Sequence, residues 1–279
     1  MEGLCFLKDR NMIIDFHTHT FPDKIAEKTI AHLTRVGGIK PYRDGTLGSL
    51  KESMRRAGVD ISVVLPVATN PRQEKTINQL SAKLSGKEGI IFAGAIHPDC
   101  ENVEETLDYI KNAGLFGIKL HPDYQGVEFD DPRYLKIISE TAKRDLIVVT
   151  HAGVDVAFRD HVHCTPDMIL RVLDRLGSEI ENKLVLAHLG GYELPDEALK
   201  KLVGKPVYMD TAAVLKLYPE KCREIIARHG TDKILFATDS PWDSQSDYIK
   251  IIKGFGFTPE QEEQIFCKNA QGLLRQEVI

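Results

Sequence analysis

The chain has 279 residues, of which 42% are hydrophobic and 28% charged, and its net charge is −5 at pH 7. This composition is typical of a globular protein that buries a core of its own. It contains no block of Lys and Arg interleaved with aromatic residues and no apolar segment long enough to cross a bilayer. We therefore expect neither a nucleic acid nor a membrane as a partner.

The start of the chain and the cysteines indicate where the protein works. Residues 1–11 contain only a brief apolar patch, which is too short for a secretory signal, so we expect a tail followed by one domain over residues 12–279. The 5 cysteines form no Cys-x-x-Cys pair. An odd, scattered set favours a reducing compartment, and we expect a cytoplasmic protein.

The first predicted strand, residues 12–19, ends in two histidines separated by one residue. Side chains alternate along an extended segment, so His17 and His19 should point to the same side. Imidazole nitrogens are common ligands of zinc and of neighbouring transition metals. The pair could supply half of a tetrahedral metal site, although His-x-His alone is a weak signal.

Apolar segments alternate with helical patterns from this strand to the end of the chain. Further strands are predicted over residues 61–66, 90–97, 116–121, 146–151, 184–188, 207–210 and 234–239. A helix follows the first strand, and others are predicted over about residues 50–57, 70–84, 103–113, 131–143, 165–176, 194–203, 219–229 and 258–274. Continuously apolar strands are typical of a parallel sheet that is covered on both faces.

Eight strand–helix units in about 250 residues match the size of a closed (β/α)8 barrel. The alternative is an open doubly wound sheet, which usually carries a glycine-rich turn after its first strand. This chain has His-Thr-His at that position. We therefore predict an α/β protein that forms a single (β/α)8 TIM barrel.

The predicted strand ends carry potential ligands and charged groups. Catalytic residues of this barrel lie at the carboxyl ends of the strands. The residues found there are His17, His19, His97, Lys119, His121, His151, His188, Asp210 and Asp239. Any one of these histidines could be an ordinary core residue, but together they predict a site. Three histidines and a carboxylate with room for water are typical of a catalytic metal site.

Five motifs at these ends resemble the amidohydrolase superfamily, in the branch with the amidohydrolase-related domain. They are IIDFHTH (13–19), GIKLHP (117–122), THAG (150–153), AHLGG (187–191) and ATDSPW (237–242). The resemblance covers essentially residues 12–274 and implies a metal-dependent hydrolase of a small molecule. It implies one or two divalent ions, with zinc expected and manganese or iron as alternatives.

The resemblance also implies roles for individual residues. His17, His19, His151 and Asp239 would be metal ligands, and Asp239 would take the proton of the metal-bound water that attacks the substrate. His188 would complete a second metal site or would stay unligated and polarise the substrate. Lys119 would either bridge two metals as a carbamate or orient an acidic substrate group as an ammonium.

Four other residues are candidates for contact with the substrate. His121 should face the same side as Lys119 because it lies two positions further along the strand. Arg159 and His163 belong to a long loop that could cover the site and bind a carboxylate. Trp242 could line the cavity. Asp210 is a candidate to hydrogen-bond a ligand histidine, as such ligands usually require.

Three functions remain open at this point. The first is hydrolysis of a small amide, lactone or similar C–N or C–O bond. The second is decarboxylation of an aromatic or unsaturated acid, because the resembling branch includes lyases that use the same metal site. An arginine in the pocket would favour this lyase, and only Arg159 is an obvious candidate. The third is a non-catalytic metal-binding or scaffold protein. A homo-oligomer is possible, but no segment indicates an interface.

Overall fold

The computed structural model describes residues 12–274. The predicted tail, residues 1–11, lies outside the described residues, as do the last five positions of the predicted domain. Within the described range, no helix is both long enough and apolar enough to span a membrane.

The strands pair in parallel and follow one another in chain order. They are β1 (Ile14–Thr18), β2 (Ile61–Val64), β3 (Ile90–Phe92), β4 (Gly94–Ala95), β5 (Gly117–Leu120), β6 (Ile147–Thr150), β7 (Leu184–Leu186), β8 (Tyr208–Asp210) and β9 (Ile234–Leu235). The pairing order is β1-β2-β3 and β4-β5-β6-β7-β8-β9. Each of these strands agrees in position with a predicted one.

The predicted third strand, residues 90–97, is divided into β3 and β4 at Ala93. The backbone N–H of Ala93 still donates to the carbonyl oxygen of Val64 at 3.0 Å, so the pairing with β2 continues through the break. Gly94 follows directly, and a Cβ there would lie 2.7 Å from Cδ1 of Ile110. A glycine is therefore needed for the next helix to approach this strand.

Backbone hydrogen bonds close the sheet between the last strand segment and β1. The N–H of Phe16 donates to the carbonyl oxygen of Phe236 at 2.9 Å, and the N–H of Asp239 donates to the carbonyl oxygen of His17 at 2.9 Å. These contacts join the residues after β9 to β1. The architecture is therefore the predicted (β/α)8 barrel.

The helices lie between the strands. They are α1 (Asp23–Gly37), α2 (Leu47–Ala57), α3 (Glu74–Leu84), α4 (Val103–Asn112), α5 (Pro122–Gln125), α6 (Pro132–Lys143), α7 (Pro166–Leu176), α8 (Pro195–Lys201), α9 (Pro219–His229), α10 (Gln245–Gly254), α11 (Pro259–Glu263) and α12 (Asn269–Leu274). The capping box predicted at Thr258 is present, because its hydroxyl accepts from Gln261 N and its own N–H donates to Gln261 Oε1.

Two helices were not predicted from the sequence. The short α5 follows the fourth predicted strand. The longer α10 begins after Ser244, whose hydroxyl accepts from the backbone N–H of Asp247. Its buried Tyr248, Ile249 and Ile252 form an apolar face. This N-cap and this spacing were present in the sequence as indications of a helix.

Alternate strand residues divide between two core clusters. Val64, Ile118 and Val148 pack with the helices. Their neighbours Val63 and Val149 belong to a second cluster, which also contains Ile14, Phe16, Ile91, Val185 and Leu235. This division is that of a barrel whose interior is filled by side chains. The packed interior leaves the carboxyl ends of the strands as the place for a cavity.

Candidate active site

A cavity of about 750 Å³ opens at the carboxyl ends of the strands. Its volume is within the range of small-molecule sites. Eight residues predicted from the sequence line it together, namely His17, His19, Lys119, His121, His151, His188, Asp239 and Trp242. The structure therefore brings together side chains that are far apart in the sequence.

His17, His19 and Asp239 form what we call the first cluster. The Nε2 atoms of the two imidazoles are 3.1 Å apart. Oδ1 of Asp239 lies 3.4 Å from Nε2 of His17 and 3.2 Å from Nε2 of His19. The register of β1 shifts between Asp15 and Thr18, and such bulges often redirect side chains next to active sites.

Hydrogen bonds on the far side of each imidazole fix the protons of the first cluster. Nδ1 of His17 donates to Oδ2 of Asp210 at 2.8 Å, and Nδ1 of His19 donates to the carbonyl oxygen of Leu65 at 2.9 Å. These oxygens only accept, so Nε2 of a neutral ring in this arrangement is an acceptor that faces the cluster. Burial, and then the charge of Lys119, lower the pKa of His17 well below 6.5. Lone pairs thus converge on one point, where a cation would stabilise them.

Asp239 is a carboxylate in this site. Burial alone would raise the pKa of its carboxyl group, but the adjacent imidazoles of His19, His17 and His188 hold that pKa below its usual range. Asp239 and His188 both have left-handed backbone angles, with φ of 65° and 58°. Residues other than glycine pay an energetic cost in this conformation, and such strain is concentrated at functional sites.

Lys119 lies against the first cluster. Its side chain is fully buried, and Nζ is 3.2 Å from Nε2 of His17. Burial lowers the pKa of this amine to about 8, although the carboxylates of Asp210 and Asp239 act in the opposite direction. The neutral amine that a carbamate requires is therefore accessible, and so is the ammonium. Both predicted roles of Lys119 remain compatible with its position.

His121, His151 and Asp155 form what we call the second cluster, with one possible ligand atom from each within 4.8 Å of the others. The rings of His121 and His151 stack with centroids 4.4 Å apart. Gly153 has a φ of 94°, and a Cβ there would lie 2.2 Å from the backbone nitrogen of Tyr192. Glycine at this position lets the loop after β6 return close to the chain and bring Asp155 to the cavity.

His151, which was predicted to act with His17, His19 and Asp239, groups with His121 and Asp155. Its Nδ1 lies 3.0 Å from Nε2 of His188, and its Nε2 faces Oδ2 of Asp123 at 3.7 Å. The ring of His188 stands between the clusters, with its centroid 5.4 Å from that of His17 and 4.8 Å from that of His151. His151 therefore lies in the second cluster, and its role as a ligand of the ion held by His17, His19 and Asp239 stays a prediction.

Asp210 accepts hydrogen bonds from two histidines of the site, and one of these is the predicted contact with a ligand histidine. Besides accepting from His17, it accepts the backbone N–H of His188 through Oδ1 at 2.9 Å. Nδ1 of His188 donates to the carbonyl oxygen of Ala212 at 2.9 Å. Burial lowers the pKa of His188, so this imidazole is neutral.

Three residues lie outside the cavity, contrary to expectation. Both terminal nitrogens of Arg159 donate to Glu193, at 2.7 and 2.9 Å, and the arginine side chain is 56% exposed. His163 is held by Asp123, and His97 is turned to other partners at the end of the third strand. Competing carboxylates thus remove Arg159 and His163 from the predicted contact with substrate.

Several cavity residues were missed in the sequence. They are Tyr124, Asp155, Tyr192, Lys216 and Asp243. Nζ of Lys216 lies 2.9 Å from Oδ1 of Asp243. Most lie on loops, where neither periodicity nor a strand end marks a side chain as inward. The only indication was the density of titratable residues in the loop that contains Asp155.

A parallel barrel with histidines and a carboxylate gathered at the carboxyl ends of its strands is the architecture of a class of metal-dependent enzymes. The sequence profile of the Amidohydrolase family matches residues 14–276, and the chain belongs to this family. The resemblance inferred from the five motifs is thereby confirmed. No curated protein sequence matches the chain.

Solved structures with the same fold include both lyases and a protein described as a hydrolase. A 2,6-dihydroxybenzoate decarboxylase bound to 2,6-dihydroxybenzoate has a TM-score of 0.71 at 14% identity, over 95% of this chain and 99% of that one. A protein from Pseudomonas putida described as a 2-pyrone-4,6-dicarboxylic acid hydrolase has a TM-score of 0.63 at 17% identity, over 95% and 98%.

A third solved structure contains a metal. The 5-carboxyvanillate decarboxylase of Novosphingobium aromaticivorans, complexed with manganese and 4-hydroxy-3-methoxy-5-nitrobenzoic acid, has a TM-score of 0.68 at 13% identity, over 95% of this chain and 96% of that one. These likenesses confirm the barrel fold. The reaction of this chain has to be argued from its own residues.

Proposed function

We propose that this protein is a divalent-metal-dependent hydrolase of a small molecule, acting on an amide, lactone or similar C–N or C–O bond. The observation that carries the proposal is the first cluster, in which three acceptor atoms of His17, His19 and Asp239 lie 3.1 to 3.4 Å apart. Nδ1 of each imidazole donates to an acceptor on the side away from the cluster, so Nε2 of each neutral ring turns a lone pair toward the carboxylate. Nitrogen and oxygen donors of this kind suit zinc, manganese and ferrous iron.

His17, His19 and Asp239 would hold the ion. When bound, it would supply a Lewis acid and lower the pKa of water toward neutrality. Asp239 is ionised and would accept the proton of the attacking water. A charged Lys119 would stabilise negative charge that develops on the substrate, whereas a carbamate there would hold a second ion.

We assign the remaining roles by position. Asp210 fixes the tautomer of His17, and His188 holds His151 through its Nε2. His121 and Trp242 line the cavity, so we retain them as contacts with the substrate. Arg159 and His163 lie outside the cavity, and we no longer assign them such contacts.

We also infer where and with which ion the enzyme works. Zinc is the ion that we propose, because a small set of imidazole and carboxylate ligands is typical of it, and manganese is the alternative. Cys100, Cys164, Cys222 and Cys267 are free thiols, which supports a cytoplasmic protein. We propose that residues 12–279 act as one catalytic domain.

The experiment removes the metal and restores it. The protein is stripped with a chelator, supplied with zinc or manganese in parallel, and assayed on a panel of amides and lactones in ¹⁸O-labelled water. We expect hydrolysis to return with the ion and ¹⁸O to enter the product acid. Glu193→Gln, which changes the partner of Arg159 outside the cavity, serves as the control and should behave as the wild type. A protein that gains no hydrolysis from either ion contradicts the proposal.

A metal-dependent decarboxylase is the second candidate. The observation in its favour is the aromatic wall of the cavity, formed by Tyr124, Tyr192 and Trp242, which suits an aromatic ring. The pairing of Arg159 with Glu193 outside the cavity counts against it, because the arginine is not placed to bind a carboxylate. Release of carbon dioxide from an aromatic acid, without ¹⁸O in the organic product, would identify this reaction in the same assay.

A further inference from the structure

Exposed apolar side chains are concentrated at the mouth of the cavity. The described range contains eight large hydrophobic side chains that are exposed. Three of them, Ile39, Tyr42 and Leu217, line the cavity. A fourth, Phe158, lies beside it, because its ring contacts that of the lining residue Tyr124 with centroids 5.1 Å apart. An exposed apolar surface that is continuous with a cavity is typical of a binding site.

The apolar surface continues from the mouth into the cavity. Phe21, Leu33 and Val156 also line the cavity and are half-buried. What we call the outer part of the cavity is the surface formed by Phe21, Leu33, Ile39, Tyr42, Val156 and Leu217. None of these side chains belongs to the first or the second cluster. The outer part is therefore a separate surface with its own chemistry.

Contacts within the protein hold this surface in place. The backbone N–H of Tyr42 donates to the carbonyl oxygen of Pro241 at 2.8 Å, which fixes the segment between α1 and α2 to the loop after β9. At the end of α1, a Cβ on Gly37 would lie 2.9 Å from Cγ2 of Val156. The glycine thus lets the helix pack closely against the loop after β6. The outer part is formed before any ligand arrives, as small-molecule sites usually are.

The charges near the outer part are paired or face solvent. Apart from the two clusters and Lys119, the charged residues that line the cavity are Lys40, Lys216 and Asp243. Nζ of Lys216 donates to the hydroxyl oxygen of Tyr42 at 3.0 Å. It also lies 2.9 Å from Oδ1 of Asp243 and 3.1 Å from Oδ2 of Asp247, so all three donors of the ammonium group are used. Lys40 is exposed. Within the described residues, the outer part therefore presents no buried unpaired charge to a ligand.

We propose that the outer part binds an uncharged apolar group, and that the substrate of the proposed hydrolase carries an alkyl chain or ring of this kind beside the bond that is cleaved. The outer part and the first cluster line the same cavity, so one small molecule can contact both. Apolar surface removed from water on binding would supply the affinity. A concave surface that leads into a cavity suits a small molecule rather than a second copy of the chain. Only the statement about the substrate rests on the proposed function.

The first test measures binding and needs no turnover. The full-length protein is titrated with N-phenyl-1-naphthylamine, an uncharged dye whose emission rises in apolar surroundings, and the dye is then displaced with primary alcohols from butanol to octanol. We expect the dye to bind and the affinity for the alcohols to rise about threefold with each added methylene group. An equal affinity for all the alcohols would overturn the proposal.

Two variants place a charge in the outer part. Ile39 and Leu217 are 36% and 48% exposed, so Ile39→Asp and Leu217→Asp should fold, as circular dichroism will show. Each should weaken the binding of octanol by about tenfold. Ile25→Asp is the matched control, because it makes the same change at an exposed residue of α1 that does not line the cavity. Binding that is equal in the wild type and all three variants would contradict the proposal.

Sedimentation of the same proteins tests whether a second copy covers the mouth instead. We expect Ile39→Asp and Leu217→Asp to have the oligomeric state of the wild type. A wild-type dimer that both variants dissociate, with unchanged binding of the dye, would assign these residues to a subunit interface and overturn the proposal.

A series of γ-lactones with alkyl substituents of increasing length separates this inference from the proposed function. With metal supplied, kcat/KM should rise with the length of the substituent in the wild type and in Ile25→Asp, and should rise less in Ile39→Asp and Leu217→Asp. Hydrolysis that does not depend on this length would overturn the inference about the substrate and leave the hydrolase in place. Length-dependent binding of the alcohols without hydrolysis of any lactone would support the apolar site and contradict the proposed function.

Discussion

Buried histidines occur at both ends of the barrel, and their surroundings differ. At the amino end, His229 at the end of α9 accepts the backbone N–H of Gly204 through Nδ1 at 3.1 Å and donates from Nε2 to the carbonyl oxygen of Val207 at 3.0 Å. Both of its nitrogens are satisfied by the backbone. At the carboxyl end, His151 is buried to a similar degree, but its Nε2 has no hydrogen-bond partner in the described part of the chain.

This difference shows what identifies a functional histidine in this fold. Burial lowers the pKa of His229 as it lowers the pKa of His151, so a shifted pKa does not separate the two ends of the molecule. Incomplete hydrogen bonding does separate them. A buried imidazole whose second nitrogen has no hydrogen-bond partner can bind a ligand that the chain itself does not supply.

The largest expected effect is at Asp239. Asp239→Asn removes the base and one anionic donor of the first cluster, so turnover should fall by about 10²–10⁴-fold. Asparagine tolerates left-handed backbone angles, so the fold should be retained. Steady-state kinetics and thermal unfolding measure the two effects. Unchanged turnover in a folded Asp239→Asn variant would remove the basis for treating the carboxyl end as the functional one.

The next effect is expected at Asp210, which holds the proton of His17. Asp210→Asn replaces an accepting oxygen with an amide that can turn a donor toward Nδ1, so metal affinity of the first cluster should fall by about 10–100-fold. Calorimetric titration with zinc measures it. Glu74→Gln is the control, since Glu74 is also buried and accepts the backbone N–H of a strand-end histidine, His97. Equal losses in both variants would indicate general destabilisation instead.

A smaller effect, on stability alone, is expected at the amino end. His229→Gln should cost about 1 kcal/mol for the altered hydrogen bonds and lower the melting temperature by about 2–4 °C. Metal content should not change. Loss of bound metal in this variant would contradict the contrast between the two ends of the barrel.

The pH dependence of stability tests the same residue. Burial lowers the pKa of His229 below its ordinary 6.5. The unfolded chain therefore binds this proton more readily, and the stability that neutral His229 contributes is present above about pH 6.5 and is lost as the pH falls below it. The melting temperature of the wild type should drop more steeply than that of His229→Gln between about pH 7 and pH 5. Parallel curves would show that His229 is not the titrating group.

The smallest effect is expected at Arg159. This side chain is exposed and paired with Glu193 outside the cavity. Exposed ion pairs contribute little, so Arg159→Ala should leave both the melting temperature and KM unchanged. A raised KM would show that the loop closes over the substrate and would restore the predicted role of Arg159.

The sequence was sufficient for the fold and for the positions of the strand ends. His17, His19 and Asp239 were found because parallel strands place their carboxyl ends together, whatever the side chains are. The contents of the second cluster could not be found in this way. Asp155 reaches the cavity only because Gly153 lets its loop return to Tyr192, and His151 turns toward His188 because of a hydrogen bond between residues of different strands.

The closure of the barrel makes neighbours of the two ends of the sequence. His17 is bonded through its backbone to Asp239, 222 positions later in the chain. A nascent polypeptide still on the ribosome has both histidines long before it has the carboxylate. High affinity for an ion is thus a property of the finished barrel, and any ion bound there would stabilise only molecules that have docked their final strand.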